Sequence, residues 1–598
     1  MGHPYHRPVF THGFTRRLCA VLLLSLALAG CHERHARTAP VGLLATAASS
    51  TPPPMAITLA AQINQANFLR DVRVLASSAL GGRKPGTRGE VLTTHYLIAQ
   101  FQRMRLLPGY RGTWLQPVPV VSTRLRNTST QLRVRLGGAV QTFAYGTDFI
   151  ATTQQARARV TLRHVPIVFV GYGIDAPSRP WNDYEGLDVR GKMVIVLAND
   201  PGEAAAADSG AASLSHHGLA RVKFALAARL GAAGCLIIHA GASSGYTWDA
   251  LRNASAGAVQ ALPQSASPGP RLAVAGWLRH AAAERLFGAA GLNLDALAAA
   301  AAQPRFKPVT LPASASLRLE SSVTYGWSDN VLALIRGAVH PHEVVIYSAH
   351  WDGLGILPAP RGAGALLPGA IDNASGVAAL LEIADSFAHR KSPPARSVLF
   401  LLPTLGEAGQ LGSRYYVEHP VFPLDHTVAD INIDFWPLLG RARDMAVYGE
   451  AHSGLTAALQ RLLAVQGRTL SPDPPPAVGL FYRSDQYSFA RAGVPAILAG
   501  PGLDLVSGGR TAGEAHWRDD LLERVKTPED AYNPHWDLSG TLEDIQTLYL
   551  LGRALADSTQ WPDWGPQSRY RARRDAMMAR IPGALGPSAP VTPSASPP

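Results

Sequence analysis

Residues 344–355 read VVIYSAHWDGLG, and residues 397–413 read SVLFLLPTLGEAGQLGS. Each opens on a short apolar run rich in β-branched and aromatic residues and closes on turn residues, the pattern of a strand buried on both faces. Each delivers residues of metal-binding type at its carboxyl end: His350 and Asp352 after the first, Glu407 after the second. Between them, GAIDNASGVAALLEIA (369–384) passes from loop to helix at Asp372, where Asn373 and Ser375 suit a helix start. A fourth run, TVADINIDF (427–435), ends in Asp434. Open α/β sheets place ligands in the crevice beyond the carboxyl ends of their strands, so one His and three carboxylates there read as a co-catalytic metal site. Carboxylates also follow strands as plain helix caps, but four residues in one ordered pattern argue against that alone.

Working outward, strands alternate with VAALLEIADSFAHR, LTAALQRLLAVQG and TLEDIQTLYLLGRALADS between about residues 321 and 560. The alternation predicts an α/β catalytic domain over 321–560, a mostly parallel-centred mixed sheet covered by helices on both faces. At 598 residues the chain is too long for one ordinary core, and two or three domains are expected. Residues 56–154 hold two helical stretches around Gly81-Gly82-Arg83-Lys84-Pro85-Gly86-Thr87 and are assigned to the amino-terminal part of the same domain. Between 155 and 320 the short buried runs PIVFVGYGI, KMVIVLAND and GCLIIHAG predict a β-rich insert. The tail 561–598 is Arg-rich and then Pro-, Ser- and Ala-rich, which predicts disorder.

Residues 1–31 read as a leader: Arg16-Arg17, then LCAVLLLSLALAG, too short to span a membrane, then Cys31. Leu28-Ala29-Gly30-Cys31 resembles a bacterial lipobox, which makes Cys31 the lipidated first residue of the mature protein. Residues 32–55 have the composition of a disordered tether. The expected location is the bacterial cell envelope, anchored in the outer membrane and facing the periplasm, with secretion to the periplasm as the alternative. Cys19 leaves with the leader, so Cys235 is the one remaining Cys not spent on a lipid and no internal disulfide is expected. The formal charge of +12 falls to +9 when Arg7, Arg16 and Arg17 are removed. No clustered Lys/Arg and aromatic pattern accompanies it, which argues against a nucleic-acid partner.

The four stretches at 344–435 resemble the zinc aminopeptidase family whose relatives include glutaminyl cyclases and the ectodomains of glutamate carboxypeptidase and the transferrin receptor. Its recurring pattern is His-x-Asp, Asp-Asn-x-Ser-Gly, Glu-Glu-x-Gly-x-x-Gly-Ser, Asn-x-Asp and a late His. The resemblance implies that His350, Asp372 and Asp434 hold one metal, that Asp352 orients His350, and that Asp372 and Glu407 serve a second metal. It also implies one or two zinc ions and peptide substrates with a free amino terminus. The insert resembles a protease-associated domain through WNDYEGLDVRGKMVIV and KFALAARLGAAG. Asp485, in Tyr482-Arg483-Ser484-Asp485-Gln486, is expected to line the pocket.

Two positions depart from the pattern. Gly406 stands where the family has its general base, and Lys526, in Val525-Lys526-Thr527-Pro528-Glu529-Asp530, stands at the late His. Three readings of Lys526 are open: its ammonium replaces the second metal, His516 or His535 supplies the imidazole instead, or the lysine is neutral and acts as ligand or base. Two outcomes follow for the protein: an aminopeptidase with one full and one altered metal site, or a catalytically silent relative that binds peptides or a protein partner in the retained cleft. Nothing in the sequence fixes the oligomeric state.

Overall fold

The computed structural model describes residues 63–581 apart from 127–129, 177–180, 202–215, 242–246, 304, 358–363, 450–452, 475–478 and 567. The leader with Cys31 and the tether lie outside the described residues. No helix among the described residues is long and apolar enough to cross a membrane.

Helix α1 (Gln65–Leu75) starts at Asn64, whose side chain accepts the amides of Ala66 and Asn67, and it buries Phe68, Val72 and Leu75 along one stripe. Helix α2 (Arg88–Arg103) starts at Thr87 and buries Leu97 and Phe101. The loop between them is pinned to the site. Gly82 has a φ of 67°, and a Cβ there would lie 2.5 Å from the Gly355 carbonyl oxygen. Arg83 is fully buried and donates to the carbonyls of Leu75, Trp351, Pro368 and Gly369 at 2.7–3.0 Å. It is a clamp on four backbone oxygens, which its forked donors suit.

Strand β1 (Leu115–Leu125) leads into the insert. Its sheet takes in β2 (Gln131–Leu136), β3 (Arg159–Phe169), β4 (Met193–Leu197), β5 (Gly234–His239) and β6 (Val274–Arg279), with β3, β4, β5 and β6 parallel neighbours in that order. Helix α3 (Ala220–Arg229) packs against β5. Phe149–Thr152 pairs with β6, so the insert's sheet begins before the boundary expected at 155. Its core is separate from the catalytic one, built on Phe169, Ile195, Leu236 and Phe287.

Strand β7 (Val309–Ile335) belongs to both sheets. Its first half pairs with β2 and β3, and its second half pairs antiparallel with β1 and with β9 (Arg396–Leu402). Strand β8 (His340–Ser348) is parallel to β9 on one side and to β10 (Thr427–Asn432) on the other. Beyond β10, β12 (Ala496–Pro501) continues parallel, and β11 (Asp444–Val447) closes antiparallel. The parallel-centred mixed sheet expected from the sequence is therefore present. Both faces of β8 are buried: Val345 and Tyr347 join one core cluster, Val344 and Ile346 the other. Helix α4 (Ser375–Ala388) and helix α6 (Ser539–Ala556) cover one face.

The described part of the tail, up to residue 581, departs from its expected disorder. Helix α7 (Arg571–Met578) is formed, Trp564 is fully buried with its indole donating to the Gly493 carbonyl at 3.0 Å, and Arg574 donates to the Thr427 carbonyl at 3.1 Å. Arg574 of this basic stretch is thus an anchor on β10.

Candidate metal centre

The carboxyl ends of β8, β9 and β10 bring the sequence-predicted residues together. One donor atom each from His350, Asp372 and Asp434 lies within 4.8 Å of the other two. His350 Nε2 stands 3.2 Å from Asp434 Oδ1 and 3.3 Å from Asp372 Oδ1. All three side chains are nearly closed to solvent. Burial works against a charged imidazole, but Asp434, Asp352 and Asp372 outweigh it and hold the His350 pKa well above its ordinary value.

Asp352 sits behind the ring. Its Oδ1 is 3.5 Å from His350 Nδ1, its main-chain oxygen is 3.1 Å from the same nitrogen, and its carboxylate accepts the amides of Gly406 at 2.8 Å and Glu407 at 3.3 Å. One carboxylate thus sets both the ring and the turn that carries Glu407, as partners behind a metal-binding His do.

Lys526 reaches into the centre. Its Nζ donates to Asp372 Oδ2 at 3.1 Å and to Glu407 Oε2 at 2.5 Å. Burial alone would lower its pKa, but the two carboxylates hold the ammonium above the ordinary lysine range. Asp372 moves the opposite way: burial would raise it, and Lys526 and His350 bring it below the ordinary carboxylate range. Of the three readings left open by the sequence, a neutral lysine runs against this environment. His516 and His535 are exposed and line no part of the site cavity, so neither joins the ligand set.

Gly406 is tighter than its sequence position suggests. A Cβ built there would lie 2.5 Å from His350 Cγ and 2.6 Å from His350 Cβ. The position holds no side chain because the imidazole occupies its space. Asp485 lines the cavity as expected, is fully buried, and its carboxyl is pushed up to about 7 by burial, with the His350 charge pulling the other way.

Two contributors carried little sequence signal. Asp530 is buried and accepts the amides of Ile371 at 2.6 Å and Asp372 at 3.2 Å, fixing the loop that presents Asp372. It ends the Val525–Asp530 segment, which drew attention for Lys526 alone. Arg221, on α3 of the insert, donates to the Gln410 side chain and to the Tyr482 carbonyl, tying the insert to the rim of the cavity. That cavity, of about 430 Å³, is lined by His350, Asp372, Asp434, Glu407 and Lys526 and also by Asn199, Arg221 and Trp277 of the insert.

A model of peptidase family M28 matches residues 330–547. Among characterised proteins, the aminopeptidase NAALADL1 of Mus musculus is 33% identical over 139 residues, covering 22% of this chain and 17% of that protein. The Rattus norvegicus protein of that name is 36% identical over 112 residues, covering 18% and 13%. The matches therefore span 17% and 13% of the length of these relatives. Among solved structures, the aminopeptidase from Aneurinibacillus sp. strain AM-1 superposes with a TM-score of 0.47 at 17% identity, over 83% of this chain and 94% of that one. BSAP, a zinc aminopeptidase from Bacillus subtilis, gives 0.42 at 15% identity, over 86% and 98%.

Proposed function

We propose that this chain, whose residues 330–547 match a model of peptidase family M28, is a lipid-anchored, zinc-dependent aminopeptidase-like metallohydrolase that shortens peptides from a free amino terminus. The observation that carries the reading is the convergence of His350, Asp372 and Asp434 in a cavity at the carboxyl ends of parallel strands. The mouse relative's name, an aminopeptidase, supports the reaction class.

One imidazole and two carboxylates, with a cavity beside them, suit a single zinc that keeps a position open. His350, Asp372 and Asp434 would hold it, and the chemistry such an ion supplies is Lewis-acid polarisation of a peptide carbonyl. A second ion does not fit, because the Lys526 ammonium already bridges Asp372 and Glu407. In this reading Lys526 supplies a fixed positive charge beside the reacting carbonyl. Glu407, released from a ligand's duty, is the carboxylate left to accept the proton of the attacking water, a task Gly406 cannot perform.

The alternative, a silent relative that binds peptides or a partner, is favoured by one observation: no acid can stand at 406 without displacing His350. Zinc analysis of the full chain after loading and removal of loose ions separates the readings when joined to an aminoacyl-anilide assay. The expected result is about one zinc per chain, lost in Asp434→Ala, with hydrolysis that falls at least about a hundredfold in Glu407→Gln while the zinc stays. Two zincs per chain would end the single-ion account, and zinc without hydrolysis of any peptide would leave the binding role. Attachment to the outer membrane through Cys31 is a separate part of the proposal. It predicts incorporation of a fatty-acid label that Cys31→Ala abolishes, and unlabelled wild-type protein would remove it.

A further inference from the structure

A second cavity, of about 800 Å³, lies between the insert and the catalytic domain, and Arg221 and Trp277 line both it and the metal cavity. Its walls carry Arg221, Arg229, Arg271, Arg414 and Arg491, against Asp175 as the one carboxylate among its described lining residues. The arginines come from separate elements: Arg221 and Arg229 from α3, Arg271 from the segment before β6, Arg414 from α5 (Leu411–Glu418), and Arg491 from the helix Gln486–Ala492. The fold therefore gathers them.

The hydrogen-bond partners of Arg221, Arg271 and Arg414 are neutral. Arg271 donates to the carbonyls of Leu262 at 2.9 Å and Ser267 at 3.0 Å, and Arg414 reaches Ser267 Oγ at 3.5 Å. The Arg221 and Arg491 guanidinium carbons stand over the Tyr487 ring, at 4.6 and 5.8 Å from its centre. Burial first, then Arg491 and Arg414, lower the Arg221 pKa to about 10. Arg414 is lowered likewise by burial, Arg491 and Arg271, with Glu418 offsetting part. Like charges crowded in a partly closed space with so little counter-charge are costly unless an anion joins them.

We propose that this cavity is the downstream subsite of the substrate, and that the protein takes acidic peptides whose carboxylates, two or more residues after the amino terminus, are held by Arg414 and Arg491. The proposal rests on the aminopeptidase reading, since a peptide with its amino end at the metal triad passes Arg221 into the arginine cavity. Guanidinium forks match carboxylates with paired hydrogen bonds, and Trp277 offers the backbone between them an apolar wall.

The test is calorimetric binding to the zinc-loaded full chain, using three peptides with a reduced first peptide bond so that none is cleaved. They are Leu-Ala-Gly-Glu-Glu amide, Leu-Ala-Gly-Gln-Gln amide, and Leu-Ala-Gly-Gln-Gln with a free carboxylate. The glutamate peptide is expected to bind about tenfold tighter than the glutamine amide, and the preference to shrink in salt. Arg414→Gln and Arg491→Gln should each remove most of that preference. Arg491 is exposed, so its variant keeps the test alive if Arg414→Gln fails to fold. A gain by the free-carboxylate peptide alone assigns the cavity to the peptide's carboxyl end; a gain by the glutamate peptide assigns it to side chains. Equal affinity for all three, or a preference untouched in both variants, overturns the proposal. Charge-blind binding in a chain that cleaves peptides leaves the aminopeptidase reading standing without this subsite. A charge preference in a chain that cleaves nothing does the reverse.

Discussion

At the scale of single residues, two positions limit the centre, Lys526 by its charge and Gly406 by its space. Lys526 has a φ of 66°, a left-handed backbone that His adopts more readily than most side chains, and its ammonium joins Asp372 and Glu407. Lys526→His exchanges that charge for an imidazole lone pair, and the zinc content should rise from about one to about two per chain by elemental analysis. A content that stays at one would mean that Glu407 is not placed to bind metal. At Gly406 the limit is steric. Gly406→Ala puts a Cβ 2.5 Å from His350 Cγ, so it should weaken zinc binding at least about tenfold and cost about 1–3 kcal/mol of stability in denaturant titration. Gly406→Glu meets the same obstacle, so restoring the family's acid at 406 should not raise activity.

At the scale of elements, α4 does two tasks. Its amino end follows Asp372, and its buried flank receives α1 through Glu382, whose Oε2 accepts the Asn64 amide at 2.6 Å. Burial pushes the Glu382 carboxyl from its ordinary 4.5 up to about 7. Between those values the folded chain holds a proton that the unfolded chain releases, so this group's stabilising contribution is full below pH 4.5 and is lost as pH rises through about 7. Glu382→Gln keeps an oxygen for Asn64 and removes the titration. It should stabilise the protein by about 1–3 kcal/mol at pH 8 and by under about 0.5 kcal/mol at pH 4. Equal effects at both pH values would show that the wild-type carboxyl is ionised when folded.

At the scale of the molecule, β7 runs 27 residues through both sheets, so the insert and the catalytic domain share one backbone ladder. Hydrogen bonds of either sheet are lost when that strand leaves the other. Calorimetry should therefore show a single unfolding transition, and limited proteolysis should release no stable fragment matching the insert. Two resolved transitions would mean that the strand bends freely between two independent domains. The same continuity lets Arg221 of the insert reach Gln410 and Tyr482 on the catalytic side.

The sequence by itself determined the parallel-centred sheet and the cluster of His350, Asp372 and Asp434 at its edge, because buried parallel strands write themselves as continuous apolar runs and these residues stand directly at their ends. His350, Asp372, Asp434 and Asp352 behind the imidazole were legible for that reason, as were the departures at Gly406 and Lys526. Tertiary structure alone decided what those departures do. Lys526 lies 154 residues beyond Asp372, and only the fold shows its ammonium between two carboxylates. Likewise Arg83 becomes a clamp on carbonyls, Arg574 an anchor on β10, and five scattered arginines one cavity wall, because a long cation's role depends on which oxygens or charges the fold brings within its reach. The insert's true start was hidden too, since strands that join a sheet by pairing with a distant partner carry no mark of that partner in their own residues.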